Sequence, residues 1–346
     1  MTHAVGFTGD VMLGRLVDER QRRRPPAAVW GDLGDRLRAL DGLCVNLECC
    51  LSTRGRPWRR TYRPFHFRAD PTWAVPALAD VGVDYASLAN NHLMDYEEPA
   101  LADTLAALDD AGVAHAGAGA DRRAAREPAR FAIENDAGDP LSIAAVSFTD
   151  NTPEFAAGPS RPGVAYVEFD PDDAETRRVV ERSLAAARAT DPDLLVGSLH
   201  WGPNMRTAPP ERHRRFARLL VEAGVDLLHG HSAHVFQGIE VLDGAPVLYD
   251  CGDFVDDYAV DPVRRNDRSF LFEVVVDGGA IRELRLHPTE IDDCAVWAAD
   301  SATGMWSRRR MRALSAPFGT EFSQAGQALV LDVADETTRS RRGRVE

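Results

Sequence analysis

A chain of 346 residues with 44% hydrophobic and 27% charged side chains has the composition of a protein that folds around a sizeable core, which excludes global disorder. The formal net charge is −14 and all 40 basic residues are arginine, so long-range repulsion makes nucleic acid and anionic membrane poor partners. The first residues lack the basic start and apolar run of a secretory signal. No stretch reaches the roughly 18 apolar residues of a membrane span, so a cytoplasmic protein with no membrane span is expected. Cys44, Cys49, Cys50, Cys251 and Cys294 have no paired zinc spacing and read as reduced thiols.

Along the chain, short runs rich in Val, Leu and Ile alternate with helical stretches, the pattern of a sheet covered by helices on its faces. Strands are expected over Ala4–Thr8, Leu43–Leu47, Tyr85–Leu88, Ser142–Ser147, Leu194–Leu199, Leu227–His229, Val247–Tyr249, Phe270–Val276 and Ile281–Leu286. The intervening patterns predict helices over Val29–Leu40, Pro71–Asp80, Pro99–Ala111, Asp172–Ala189 and Pro209–Glu222. Gly82, Gly112 and Gly224 recur in similar phrases after three of these helices, where a left-handed glycine ends the helix. The last two strands flank Asp277-Gly278-Gly279-Ala280 and read as an antiparallel hairpin. The expected organisation is one α/β domain over 1–290, a less regular extension over 291–333 packed on it, and a mobile polar tail over 334–346.

In α/β sheets ligands bind beyond the carboxyl ends of the strands, so polar residues that follow an apolar run are the ones to collect. Five segments supply them: Thr8-Gly9-Asp10, Asn46-Leu47-Glu48, Ala89-Asn90-Asn91-His92 with Asp95 following, His200-Trp201-Gly202, and His229-Gly230-His231-Ser232-Ala233-His234. Any one of these fits a structural turn, but five in strand order point to a shared site. Imidazoles and carboxylates together suit Mn, Zn, Fe or Ni better than Ca, because Ca prefers an all-oxygen shell. A carboxylate that reaches two ions would give the paired arrangement that clamps attacking and leaving oxygens in hydrolysis.

These segments, with Gly9 to Arg15 and His231 to Gln237, resemble in order the motifs of the CapA family of poly-γ-glutamate capsule biosynthesis proteins, over roughly residues 4–290. The fold of that family is similar to the calcineurin-like metallophosphoesterases, which implies an α/β layered sandwich with the metal site at the carboxyl ends of the strands. The resemblance implies Asp10, Glu48, Asn91, His200, His231 and His234 as ligands of one or two divalent transition-metal ions, with His92 as a general acid oriented by Asp95. It departs from phosphoesterases at Met12, which stands where a histidine ligand is usual, and in the spacing of His231 and His234. Which of His229, His231 and His234 bind metal stays open.

Asn90, beside the Asn91 position, is expected to contact substrate. His66 and Arg68 alternate with Phe65 and Phe67, so on a strand they share a face, and that face is expected to line the substrate cleft. Trp201 would wall the pocket, and Asp253, in Tyr249-Asp250-Cys251-Gly252-Asp253-Phe254, would accept a substrate hydrogen bond or cap a turn. Arg54, Arg56, Arg59, Arg60, Arg63 and Arg68 form a possible anion clamp. The resemblance implies a metal-dependent hydrolase of a phosphoester or amide, linked to an anionic capsule polymer and to capsule-synthesis proteins. The alternatives are an isomerase or epimerase beside a polarised carbonyl, with Asp10 or a histidine as base, and a non-catalytic assembly component. Envelope-acting members of the family usually carry an N-terminal membrane anchor, and its absence here favours a soluble enzyme.

Overall fold

The computed structural model describes residues 1–334 and 336. Most of the expected tail therefore lies outside the described residues. Two β-sheets face each other, and helices cover their outer faces. In the first, the strands Thr2–Val11, Gly42–Leu47, Val83–Ser87 and Ala114–Ala116 run parallel. Arg268–Asp277, Ala280–Asp292 and Ala328–Asp332 continue that sheet antiparallel on its other side. In the second, Pro140–Thr149, Leu194–His200, Leu227–His231 and Ala245–Leu248 run parallel, between the antiparallel edges Ala129–Glu134 and Ile239–Leu242.

The alternation of side chains along each strand builds the layers. Val5, Phe7 and Cys44 of the first sheet meet Ile143, Ala145 and Val196 of the second in the central core. The opposite faces carry Val45 and Leu47 against Trp30, Trp73 and Leu101, and Ala144, Val146 and Leu195 against Leu184, Phe216 and Leu220. A strand buried on both faces reads as a continuous apolar run, which is why these were legible in the sequence. Gly82, Gly112 and Gly224 have φ of 67°, 72° and 90°, the left-handed conformation expected of them after Pro71–Asp80, Glu97–Asp110 and Glu211–Glu222.

Three departures are informative. The expected helix Val29–Leu40 is a 3-10 stretch, Pro26–Leu33, followed by a short helix, Gly34–Arg38, because Gly31 breaks the helical path at φ 48°. The hairpin strands at 268–292 join the first sheet directly through pairing of Arg268–Asp277 with Thr2–Val11. The segment beyond Asp292 holds a regular helix, Ser301–Ser315, capped by the Asp300 carboxylate on the Thr303 N–H. All five cysteines are free and buried. Among the described residues no helix is long and apolar enough to cross a membrane.

Candidate metal centre

The parallel strands of both sheets deliver their carboxyl ends to one edge. Asp10 sits where Thr2–Val11 is wedged between two partners, opposite Asn46 on one side and Asp253 on the other. Its N–H donates to the Gly252 carbonyl at 2.8 Å. That approach requires glycine before it, because a Cβ on Gly9 would stand 1.9 Å from the Gly252 oxygen. Asn90 donates to Asn46 Oδ1 at 3.3 Å and to the Leu47 carbonyl at 2.8 Å, and Asn46 in turn donates to Asp10 Oδ1 at 2.7 Å. This amide chain holds the first carboxylate in place.

From the second sheet, His200 ends its strand directly opposite His231, the last residue of the neighbouring strand. Their Nδ1 atoms lie 2.9 Å apart. The chain then turns back through Ser232 (φ 114°) and His234 (φ 58°), left-handed conformations that cost about 1–3 kcal/mol each for non-glycine residues and persist where surroundings over-determine them. The turn aims His234 Nδ1 at Asp253 Oδ1, 2.8 Å away, and at Asp10 Oδ2, 3.4 Å away.

Two donor groups result. The ligand atoms of Asp10, His200 and His231 lie within 4.8 Å of one another, and so do those of Asp10, Glu48, His234 and Asp253. Asp10 belongs to both. All six residues are buried. Asp10 Oδ2, both oxygens of Glu48, Asp253 Oδ2 and the Asn91 side-chain oxygen have no hydrogen-bond partner, an arrangement that is costly unless a cation compensates. Burial pushes the Glu48 carboxyl well above its usual value, and the charge on Asp10 adds to this. Burial also works against the charge on Asp10, but the His234 hydrogen bond and the neighbouring imidazoles outweigh it and hold Asp10 well below the usual carboxylate range. Burial lowers His200 to about 4 and His231 well below its usual value, leaving both rings neutral, the form that binds metal. Only His234 is shifted the other way. Burial opposes its charge, but Asp253, Asp10 and Glu48 raise it well above the ordinary histidine value. Buried carboxylates in excess of cations, beside neutral imidazoles, are a donor set that fits a divalent transition metal.

His229 is committed elsewhere, with Nε2 against the Thr8 carbonyl at 2.7 Å and Nδ1 against Ser198 Oγ at 3.2 Å. Met12 is buried, and its sulfur accepts the Gly14 N–H at 3.1 Å. Asp253, read from sequence as a substrate contact or turn cap, stands among the donors, and pairing of Asp253–Val255 with Thr2–Val11 puts it there.

Beside the centre lies a cleft of about 430 Å³ with His92, Asn91 and His234 among its lining residues and Phe65, Tyr258 and Met205 as walls. His92 Nδ1 lies 2.6 Å from Asp95 Oδ2, its ring stacks on Phe67 at 3.8 Å, and its Nε2 is 3.8 Å from Glu48 Oε1. Asp95 is itself fixed by the Phe67 N–H at 2.8 Å and Arg63 Nε at 3.1 Å. Arg63 also reaches Thr152 Oγ1 and the Asn91 carbonyl. Of the proposed arginine clamp, Arg63 is the member that lines this cleft. Arg54 pairs with Asp103 on the surface.

Four expected substrate contacts lie away from the cleft. His66 and Arg68 do share a face, but they line a separate polar depression with Asp18 and Tyr96, while Phe65 and Phe67 face His92 and the cleft. The loop before Arg68 is anchored by Asp95, which turns the aromatic face inward. Asn90 is fully buried, with its amide groups used by Asn46, Leu47 and the His92 N–H. Trp201 is stacked on His213 at 4.7 Å and donates to the Tyr249 carbonyl, as part of the outer core.

Residues 4–258 match the family described as bacterial capsule synthesis protein PGA_cap. The chain belongs to this family. A probable polyglutamine synthesis accessory protein of Mycobacterium tuberculosis is 32% identical to it over 90% of each chain. The PGA biosynthesis protein CapA of Bacillus subtilis is 28% identical over 73% of this chain and 63% of its own length. The capsule biosynthesis protein CapA of Bacillus anthracis is 29% identical over 72% and 59% respectively. The PGA_cap match spans all the donors from Asp10 to Asp253, and the facing sheets flanked by helices have the layered sandwich of the metallophosphatase-like proteins.

Proposed function

We propose that this protein is a metal-dependent hydrolase that cleaves a phosphoester or amide bond in the handling of poly-γ-glutamate or a related capsule polymer, in company with capsule-synthesis proteins. The observation that carries the reading is the pair of buried donor groups sharing Asp10, with both Glu48 oxygens and one oxygen each of Asp10 and Asp253 making no hydrogen bond among the described residues. Asp10, His200 and His231 would hold one ion and Asp10, Glu48, His234 and Asp253 a second. Asn91, whose side-chain oxygen is also unpartnered, stands ready as a further donor. One or two ions of Mn, Zn, Fe or Ni would polarise the scissile bond and ease deprotonation of the attacking water.

The chain's own residues divide the rest of the work. Asp95 accepts from His92 Nδ1, which leaves Nε2 facing the centre. Burial holds this imidazole below its usual value against Asp95, so Nε2 would first take the proton released by the attacking water and then pass it to the leaving group. Arg63 neutralises Asp95, so that Asp95 orients the imidazole without drawing its proton away. Phe65, Tyr258 and Met205 exclude water along the cleft wall. An isomerase with Asp10 as base is less well supported, because Asp10 is engaged by Asn46 and His234 and held well below the usual carboxylate range, which makes it a weak base.

Metal analysis by mass spectrometry on wild type, Asp10→Asn and His200→Ala, joined to turnover of a chromogenic phosphodiester and of a γ-glutamyl amide, tests the proposal. One or two transition-metal ions per chain, fewer in the variants, with cleavage of either substrate, is the expected result. No retained metal after incubation with Mn and Zn defeats it. Bound metal with neither bond cleaved leaves a non-catalytic accessory role.

A further inference from the structure

Outside the metal centre, one concavity holds an unusual concentration of positive charge for so acidic a chain. It measures about 550 Å³ between the short helix Arg122–Ala125 and the helix Ala174–Arg188, with Arg122, Arg123, Arg126 and Arg182 around Val179 and Ala186. Arg122 and Arg126 also line a second hollow of about 190 Å³ with Tyr166. The two guanidiniums thus form a wall common to both hollows.

Three of these four cations make no ion pair among the described residues. Arg123 pairs with Glu127 at 3.2 Å, but among the described residues Arg126 and Arg182 make no ion pair, and Arg122 contributes only a 3.4 Å contact to the Ala157 carbonyl. The nearby acids are engaged: Asp121 accepts the Ala124 N–H at 2.8 Å and Glu175 pairs with Arg178 at 2.9 Å. Partial burial and then the charge on Arg122 push the Arg126 guanidinium below its usual value, against Glu175, with Arg182 adding to the same effect. Like charges gathered on a concave wall in a chain of net charge −14 are stabilised by an external anion.

We propose that this wall binds an extended polycarboxylate chain, with carboxylates on Arg122, Arg126 and Arg182 and its methylenes on the apolar floor. Arg122, Arg126 and Arg182 share the first hollow with Val179 and Ala186, and Arg122 and Arg126 also line the second; a single small oxyanion would leave that apolar floor uncovered. A γ-linked glutamate oligomer has carboxylates separated by methylenes and satisfies both the guanidiniums and the floor. The second hollow adjoins the edge that carries the metal centre, because Tyr166 bridges to Thr149 and the Thr149 hydroxyl donates to the His200 carbonyl. The wall is a binding site in its own right and does not depend on hydrolysis at the metal centre.

The test is fluorescence anisotropy with a labelled γ-linked hexaglutamate at low and physiological salt, using wild type, Arg126→Gln, Arg182→Gln and the paired-arginine control Arg123→Gln. Salt-sensitive binding is expected, weakened about tenfold in each of the first two variants and less than threefold in the control, since loss of one charge-assisted contact corresponds to about that factor. Arg182 is exposed, so its variant tests the site even where Arg126→Gln folds poorly. No binding at low salt, or binding indifferent to Arg126 and Arg182, overturns the proposal. Inorganic phosphate that displaces the oligomer at equal concentration of anionic groups also overturns it, in favour of a small-oxyanion site.

Discussion

Replacing Asp253 with Asn separates the two donor groups, with little effect on the metal-free protein and a clear loss of stabilisation in the metal-loaded one. Asp253 is buried, accepts from His234 Nδ1 at 2.8 Å and has an unpartnered second oxygen among Asp10 and Glu48. Asparagine keeps the acceptor for His234 while removing a charge from a cluster that includes Glu48 and Asp256, both of which are raised well above the usual carboxyl range, by burial first and by neighbouring aspartates second. Relief of buried like-charge repulsion and loss of the charge that Asp253 sets against His234 act in opposite directions, so the metal-free protein changes by no more than about 1 kcal/mol. For 346 residues, at about 2.1 cal/mol/K of unfolding entropy per residue, each kcal/mol moves Tm by about 1.4 °C, so the metal-free variant melts within about 1–2 °C of wild type. An ion present at about 100 times its Kd adds about 2.7 kcal/mol, or about 4 °C, to wild type. Loss of one donor weakens that ion by about 10–100-fold, so at the same concentration the variant gains no more than about 2 °C. Differential scanning calorimetry with chelator and with Mn, beside a calorimetric titration, reads both numbers. A variant that binds Mn as tightly as wild type and gains as much Tm from it refutes the assignment of Asp253 to the second donor group.

On the proposed role of His92 in proton transfer to the leaving group, substituting it with Asn should lower kcat by about 10²–10⁴ with metal content unchanged; loss of metal in this variant would contradict that role. His229→Gln should do the reverse, destabilising the fold by about 1–3 kcal/mol in denaturant melts through loss of its Thr8 and Ser198 contacts, with metal stoichiometry intact. Asp84 predicts a pH dependence remote from the site. Burial raises its carboxyl to about 6, against the opposing Leu43 N–H at 2.9 Å. A folded-state pKa above the unfolded value means stability is greatest below about pH 4 and declines as pH rises through 6, by at most about 3 kcal/mol. Asp84→Asn keeps an acceptor for Leu43, so its stabilising effect should grow from pH 4 to pH 7 and then level off; a pH-independent effect in urea melts would sink this account.

What could be read from the chain and what could not follows from the range of the interactions involved. The strand that ends at Asp10, the loop at Asn90 to His92 and the histidines after the second-sheet strands all showed themselves locally, as apolar runs followed by polar residues at a carboxyl end. The helix Ser301–Ser315 was missed because its apolar face is weak and its Asp300 cap lies in an otherwise polar stretch. Asp253 carried no local mark of its placement, since only its parallel pairing with Asp10, 243 positions earlier, sets it among the donors. The surroundings of His229, His231 and His234 are likewise set by partners far off in sequence, Thr8 for the first and Asp10 for the other two.

The segment from Phe65 to Arg68 shows where alternation stops being informative. A period of two divides side chains into two faces but does not say which face meets the site, and polar residues are the natural choice for a cleft lined with charge. Here Asp95 takes the Phe67 N–H with the same carboxylate oxygen that accepts from His92, so the backbone that positions the imidazole also brings the Phe67 ring onto it at 3.8 Å. With Phe67 on His92, Phe65 must line the cleft, and His66 and Arg68 must turn outward. The aromatic lining follows from the hydrogen bonding of one aspartate, and a polar face at this position would require Asp95 to release either the loop or the imidazole.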